Sequence, residues 1–316
     1  MTAVRILESQ TVGKHGDPSL NEDGLFIGNA YLAVIDGVTS KAEYNLWHPS
    51  PGVVAKDTLL AALHNGDARD AATLAADMTG TAPTMKYSRP SDYDDRNGGG
   101  SSKYDDSPNA LDSTNAFMPF DMRGMQHALD STLLAEYSRN PSQSAEFFAT
   151  HPVERLQANA VVYSAPRHEI WLFGDCQAMV NGVQIPTVKS VDTLLADLRS
   201  FVAQADPTAD SRAAILPFLR LQSRFANQPG EFGYFVFDGY TDPNWPIRII
   251  PVKPSDEVIL ASDGYPRLRP TLDESEAALA QIHRTDPQLI GEHRSTKGFL
   301  PDSGAFDDRT YIRFIA

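Results

Sequence analysis

Short apolar runs that meet an aspartate at one end recur along this sequence. AVID stops on Asp36, WLFGD on Asp175 and VILASD on Asp263, while TYIRFI follows directly on the stretch that begins with Asp307 and Asp308. Each run has the length and the β-branched and aromatic content of a strand. Several are joined by turn signals that force antiparallel pairing. GLFIG and YLAVID flank Gly28-Asn29, AVVYS and EIWLFGD flank Ala165-Pro166-Arg167-His168, and QAMV and VQI flank the hairpin dipeptide Asn181-Gly182. YFVF, IRIIPV and EVILAS supply further strand candidates. Helical periodicity appears at VVAKDTLLAALHNG, GMQHALDSTLLAEYSRN, VDTLLADLRSFVAQ, RAAILPFLRLQSRF and ESEAALAQIHR. Hairpins alternating with helix pairs predict an α+β domain whose antiparallel sheets are covered by helices.

A hairpin turning at Gly28-Asn29 sets Glu22 and Asp36 at similar distances from the turn, side by side at its open end. Acids that end some strands and start an antiparallel neighbour fall on the same sheet edge. If these strands pack together, Glu22, Asp23, Asp36, Asp175, Asp263 and Asp307 gather there, with Asp308 beside them. A single Asp-Gly is only a turn dipeptide; four such segments form a pattern. Carboxylates a few ångströms apart repel or must protonate, so they need cations. Among the motif residues only Arg309 is basic, which predicts metal ions as the compensation. An all-oxygen set without His-rich or Cys-rich spacing predicts Mg²⁺ or Mn²⁺.

Composition narrows the function classes. The 316 residues, 41% of them hydrophobic, suffice for a large core. A formal charge of −14 with scattered Lys and Arg argues against nucleic acid as a partner. No stretch approaches the ~20 apolar residues of a membrane span, the start shows no secretion signal, and the single Cys176 excludes an internal disulfide. These features predict a soluble, cytoplasmic protein without membrane contact. Residues 79 to 114, rich in Ser, Asp, Gly and Pro, predict a loosely packed surface insertion within a single domain spanning 1 to 316.

The ordered series NED at 21 to 23, AVIDG at 33 to 37, FGDC at 173 to 176, ILASDG at 259 to 264 and DDRT at 307 to 310 resembles the motifs of the protein phosphatase 2C (PPM) family of metal-dependent serine/threonine phosphatases. The resemblance implies a four-layer α-β-β-α sandwich with two central antiparallel sheets and a binuclear Mn²⁺ or Mg²⁺ site at one edge. In that reading Asp36 bridges the two ions and Gly37 offers its carbonyl. Asp263 and Asp307 bind one ion, and Glu22 binds the other with Asp23 nearby. Asp175 joins Asp263 at a third, weaker ion, and Asp308 matches an acid common in bacterial members. Catalysis then runs through Asp36, Asp263 and Asp307, which hold the metals that activate a bridging water on a phosphorylated protein or a small phosphomonoester.

Some positions depart from the family. GDPSL puts Pro18 near the place of a phosphate-gripping Arg, and Val38-Thr39-Ser40-Lys41 follows Asp36-Gly37 where many eukaryotic members carry a His. Lys14 and Lys41 are the cations that remain as candidates for the substrate phosphate. Arg220 and Arg224, four apart, read as a solvated helix face. His127 and His168 read as surface or packing residues, and Trp47, Trp171 and Trp245 as packing. The departures keep open a pseudophosphatase or regulatory binding module, and a small-molecule phosphatase, beside the protein phosphatase. Retention of every metal acid favours catalysis. Cys176 lacks the Cys-x₅-Arg frame of a cysteine phosphatase, since CQAMVNGV offers no Arg.

Overall fold

The apolar runs form two five-stranded antiparallel sheets in the computed structural model, which describes residues 4–39, 41–79 (backbone only from 67), 120–301 and 304–316. One sheet has the order β1 (Arg5–Val12), β10 (Arg309–Ile315), β9 (Glu257–Ala261), β6 (Gln177–Val180), β7 (Val183–Ile185). The other runs β2 (Asp23–Ile27), β3 (Tyr31–Gly37), β4 (Ala158–Ser164), β5 (Glu169–Phe173), β8 (Arg248–Pro251). The tight connection between β6 and β7 is the expected one: Asn181 and Gly182 both take positive φ, 49° and 78°, the backbone that a two-residue hairpin requires.

The central strands are apolar on both faces because both faces are covered. Leu32 and Val34 of β3 point between the sheets, where they meet Val258 and Leu260 of β9 and Phe314 of β10. Ala33 and Ile35 point the other way, onto Leu59 of α1 (Pro51–Thr79) and Leu129 and Leu133 of α2 (Met122–Tyr137). An aromatic cluster of Trp47, Tyr137 and Phe148, the last on α3 (Ala145–Thr150), closes that layer. The outer face of the first sheet packs Ile259 and Tyr311 against Leu268 and Leu272, the latter at the start of α6 (Leu272–Thr285). The remaining helices, α4 (Ser190–Ala205) and α5 (Ser211–Gln222), pack on each other and on Tyr234 and Val236 through Val191, Leu195, Ile215 and Leu219. The architecture is an α+β sandwich. No helix among the described residues is long and apolar enough to cross a membrane.

Four sequence expectations change. β1 is an added strand: RILESQTV carries five polar or charged residues and pairs only with β10, as an edge strand does. YFVF is not a strand but a segment held by isolated bridges, Phe237 to Ala158 and Tyr234 to Ala226. Helix α1 continues through Asn65-Gly66 instead of ending there. The β2–β3 turn centres on Asn29-Ala30, one residue later than expected, with the Gly28 amide donating to the Tyr31 carbonyl at 2.9 Å. Asp23, not Glu22, therefore lies opposite Asp36 in the register. From residue 80 onward the insertion expected at 79 to 114 lies outside the described residues.

Phe314 is fully buried between the sheets, its ring 4.9 Å from that of Tyr163. Phe314→Ala should therefore lower the unfolding free energy by about 3–5 kcal/mol in denaturant titration, with an unchanged urea slope.

Candidate active site

Two Asp-Gly pairs close-pack the strand ends at one edge, each within its own sheet. A Cβ on Gly37 would lie 2.1 Å from the Gly52 carbonyl oxygen and 2.8 Å from that of Glu22, and one on Gly264 would lie 2.1 Å from the carbonyl of Asp308. Any side chain there would push the strand ends apart. The Gly37 amide donates to the Glu22 carbonyl at 2.9 Å. The aspartates preceding these glycines, Asp36 and Asp263, line a cavity of about 300 Å³ together with Asp175, Asp307 and Asp308. Glu22 and Asp23 lie buried behind it. All seven predicted acids thus come to one edge, together with Gly37.

The compensating charges come largely from the chain itself. The buried Lys14 ammonium lies 2.9 Å from Glu22 Oε2, 3.0 Å from Asp307 Oδ1 and 3.0 Å from Asp308 Oδ2, and also donates to Thr39 Oγ1. Lys189 pairs with Asp175 at 2.8 Å, and Lys297 pairs with Asp307. The expectation that these acids lack bases of their own fails. It counted bases within the acidic motifs, whereas these lysines precede β2, precede α4 and sit in the loop after α6. Arg199 of α4 holds that loop by donating to the carbonyls of Gln288, at 2.8 Å, and Ser295, at 3.0 Å.

The acids separate into two groups. Glu22 accepts from Ser50 Oγ through Oε1 and from Lys14 and Thr39 through Oε2. Asp308 accepts from the Lys14 amide through Oδ1, and through Oδ2 it takes the Glu22 amide and the Lys14 ammonium. Both oxygens of Asp307 are held by Lys14 and Lys297. Asp36 and Asp263, in contrast, have no ion-pair partner among the described residues. Asp23 Oδ2 and Asp175 Oδ1 are buried without a hydrogen bond.

The protonation equilibria follow this division. Burial, then the charges of Asp263, Asp23 and Asp175, push the Asp36 carboxyl well above the usual range. Burial and the neighbouring Asp263 and Asp308 raise Asp23 to about 7 against hydroxyl bonds from Ser262 and Thr310. Enclosure and the Asp175 charge raise Asp263, although its side chain opens to cavity water. Burial pulls Lys14 down, but Glu22 and Asp308 outweigh it and raise its ammonium above the ordinary value. Burial draws Lys297 down to about 8, helped by the like charges of Lys14 and Lys41. Lys41 lines the cavity without an ion pair among the described residues, lowered first by burial and then by Arg212.

Other sequence candidates fall away from the cavity or change role. Lys14, a candidate for the substrate phosphate, gives its ammonium to carboxylates. Arg220 pairs with Glu43 on the surface at 3.4 Å. His127 is exposed, and His168 sits in the β4–β5 turn at φ 52°. Trp171 is fully buried, Trp47 nearly so, and Trp245 packs against the same core. Sequence reasoning missed Asn159 and Arg212. Asn159 faces Asp36 in the β3–β4 register, lines the cavity and leaves its buried Oδ1 without a partner. Its one signal is a polar residue in the otherwise apolar run ANAVVYS. Arg212, in the first turn of α5, lines the same cavity while donating to the Thr296 carbonyl.

Among the described residues, no group of three or more His, Cys, Asp or Glu side chains is arranged as a finished metal-ligand set. The donor chemistry on the Asp36 side nevertheless fits a hard cation. It offers oxygen ligands only, Asp36 and Asp263 carry no ion pair, and Asp23, Asn159 and Asp175 each leave a buried oxygen without a partner at the same edge.

Cys176 is fully buried next to Asp175, and burial, then the charges of Asp36 and Asp175, hold its thiol well above the ordinary value. The thiol should therefore stay unmodified by an alkylating reagent at neutral pH in the native protein and react on unfolding, as mass spectrometry would read.

No family model matches the sequence, and no curated protein matches it. Solved structures similar to the chain over nearly its whole length include serine/threonine phosphatases. The catalytic domain of the serine/threonine protein phosphatase PstP in complex with two manganese ions is 14% identical, with 99% of this chain and 98% of that one covered and a TM-score of 0.46. The serine/threonine phosphatase Stp1 from Staphylococcus aureus is 15% identical, covering 100% and 97%, at 0.43. The PPM Ser-Thr phosphatase MsPP from Mycobacterium smegmatis, in complex with cacodylate, is 15% identical, covering 98% and 99%, at 0.40.

Proposed function

We propose that the chain is a divalent-cation-dependent phosphomonoester hydrolase of the protein phosphatase 2C type, acting on phosphoserine and phosphothreonine in proteins. The observation that supports this reading is the mixed charge of one cavity. Its lining joins the carboxylates of Asp36, Asp175 and Asp263 to the cationic Lys41, Arg212 and Lys297. A phosphate ester is attracted by the second set and repelled by the first, unless a cation screens those carboxylates. A divalent ion and a phosphate would each favour the other's binding.

Asp36, Asp175 and Asp263, with the Gly37 carbonyl, are the groups assigned to hold Mn²⁺ or Mg²⁺. When bound, such an ion acidifies a water and neutralises charge on the phosphoryl group being transferred. Asp23 backs Asp36 across the β2–β3 register, and Asn159 backs it across β3–β4. Lys41 and Arg212 bind and orient the phosphate oxygens. Cys176 is enclosed as a neutral thiol and is no nucleophile in this scheme.

Hydrolysis of an aryl phosphate and of phosphopeptides should require added Mn²⁺ or Mg²⁺ and stop in EDTA; turnover that persists in chelator would refute the reading. Asp36→Ala and Asp263→Ala should each lower kcat by at least about 100-fold, the several kcal/mol that ion-mediated charge stabilisation supplies. Lys41→Ala should raise KM about 10-fold with little change in kcat, as loss of a ground-state phosphate contact does. Phosphopeptide binding without any turnover would instead identify a binding module.

A further inference from the structure

We infer that the Lys14 ammonium is a resident cation in the place of a second metal ion, so that the centre takes up a single divalent ion on the Asp36 side. The inference rests on the phosphatase reading above and narrows it, since the sequence resemblance implied two ions with Glu22 as a ligand of the second.

The lone pairs of Glu22, Asp307 and Asp308 are already occupied. Lys14 Nζ stands within 3.0 Å of carboxylate oxygens from Glu22, Asp307 and Asp308. An ammonium contributes a single positive charge and fixed donors, and here those donors are all directed at anions or at Thr39. The oxygens left on these acids are also engaged: Glu22 Oε1 by Ser50, Asp308 Oδ1 by the Lys14 amide, and Asp307 Oδ2 by Lys297. A second divalent ion would have to displace an ammonium whose stem is buried and whose own amide is tied to the acid it pairs with. It would also sit beside that like charge.

The other half of the edge is different. Asp36 and Asp263 have no ion pair among the described residues, and one oxygen of Asp175 is free of hydrogen bonds. Asn159, 3% exposed, lines the same cavity with its carbonyl oxygen free of any protein partner, an independent sign that this half is built to accept a ligand. A hard cation, directly or through its waters, supplies that partner. The two halves therefore predict unequal metal uptake.

The test counts ions. Wild-type protein and Lys14→Met, which keeps an unbranched apolar stem and removes the charge, are loaded with Mn²⁺, desalted and measured by native mass spectrometry and by electron paramagnetic resonance. Wild type is expected to hold a single ion with the resolved hyperfine pattern of an isolated Mn²⁺, and Lys14→Met to hold two with a spin-coupled signal. Two ions in wild type would overturn the inference and leave the phosphatase reading standing. A single ion in both proteins would show that Lys14 does not fill the second place. No ion in either would remove the phosphatase reading and this inference with it. Should Lys14→Met fail to fold by circular dichroism, the wild-type count and spectrum decide alone.

Discussion

Seven carboxylates at one edge of a sandwich repel one another, and the rest of the molecule is arranged around how that repulsion is met. Lys14 carries the largest share. Its backbone follows β1, its ammonium reaches Glu22 just before β2, and it reaches Asp307 and Asp308 just before β10. One side chain thus joins the starts of strands in different sheets. Removing one partner of such a buried arrangement leaves uncompensated charge, a loss of about 3–5 kcal/mol, so this clasp bears on stability as much as on chemistry.

The edge also depends on residues without side chains. Gly37 and Gly264 permit backbone approaches that no Cβ would allow, and each directly follows a cavity aspartate. The Asp-Gly pairs look like turn signals in the sequence but act as close-packing points between strand ends. Closeness has a consequence for protonation: Asp23 and Asp36 lie opposite each other in neighbouring strands, and both are driven towards the neutral form by enclosure and by neighbouring carboxylates. An edge held this tightly keeps its chemistry available only where cations reach it.

Much of this was legible from residues alone. Antiparallel sheets covered by helices followed from hairpin dipeptides and apolar runs, their number from the family resemblance, and convergence of the acids from antiparallel pairing once the strands pack together. What was not legible was long-range and cationic. Lys189 meets Asp175 across a hairpin, and Lys297 meets Asp307 across a loop whose course Arg199 fixes from another helix. Nothing local marks these lysines as anything but solvated side chains. β1 was missed for a related reason: an edge strand needs apolar residues on one face only, so its pattern is diluted. Asp23 rather than Glu22 stands opposite Asp36 because the turn falls on Asn29-Ala30 rather than Gly28-Asn29, which moves every cross-strand partner along the hairpin.

Pro18 shows how the cavity's cations are redistributed. It begins a short 3₁₀ turn, Pro18–Leu20, capped by the Asp17 side chain on the Ser19 amide at 2.9 Å, and it is exposed. Proline suits that first helical position because its missing amide would have no partner there. The local structure is thus built for a proline, and the turn itself carries no cation. The positive groups enter instead from Lys41, after the β3 aspartate, and from Arg212 in the first turn of α5. Arg212 lies on the α4–α5 pair, which packing on Tyr234 and Val236 holds in place. In the proposed enzyme, then, the strand edge governs cation binding, while the α4–α5 unit governs how a phosphate is presented to it. Ile215 and Leu219 anchor that unit, and Lys189 at the N-cap of α4 ties it to Asp175, so the two parts of the cavity are mechanically joined.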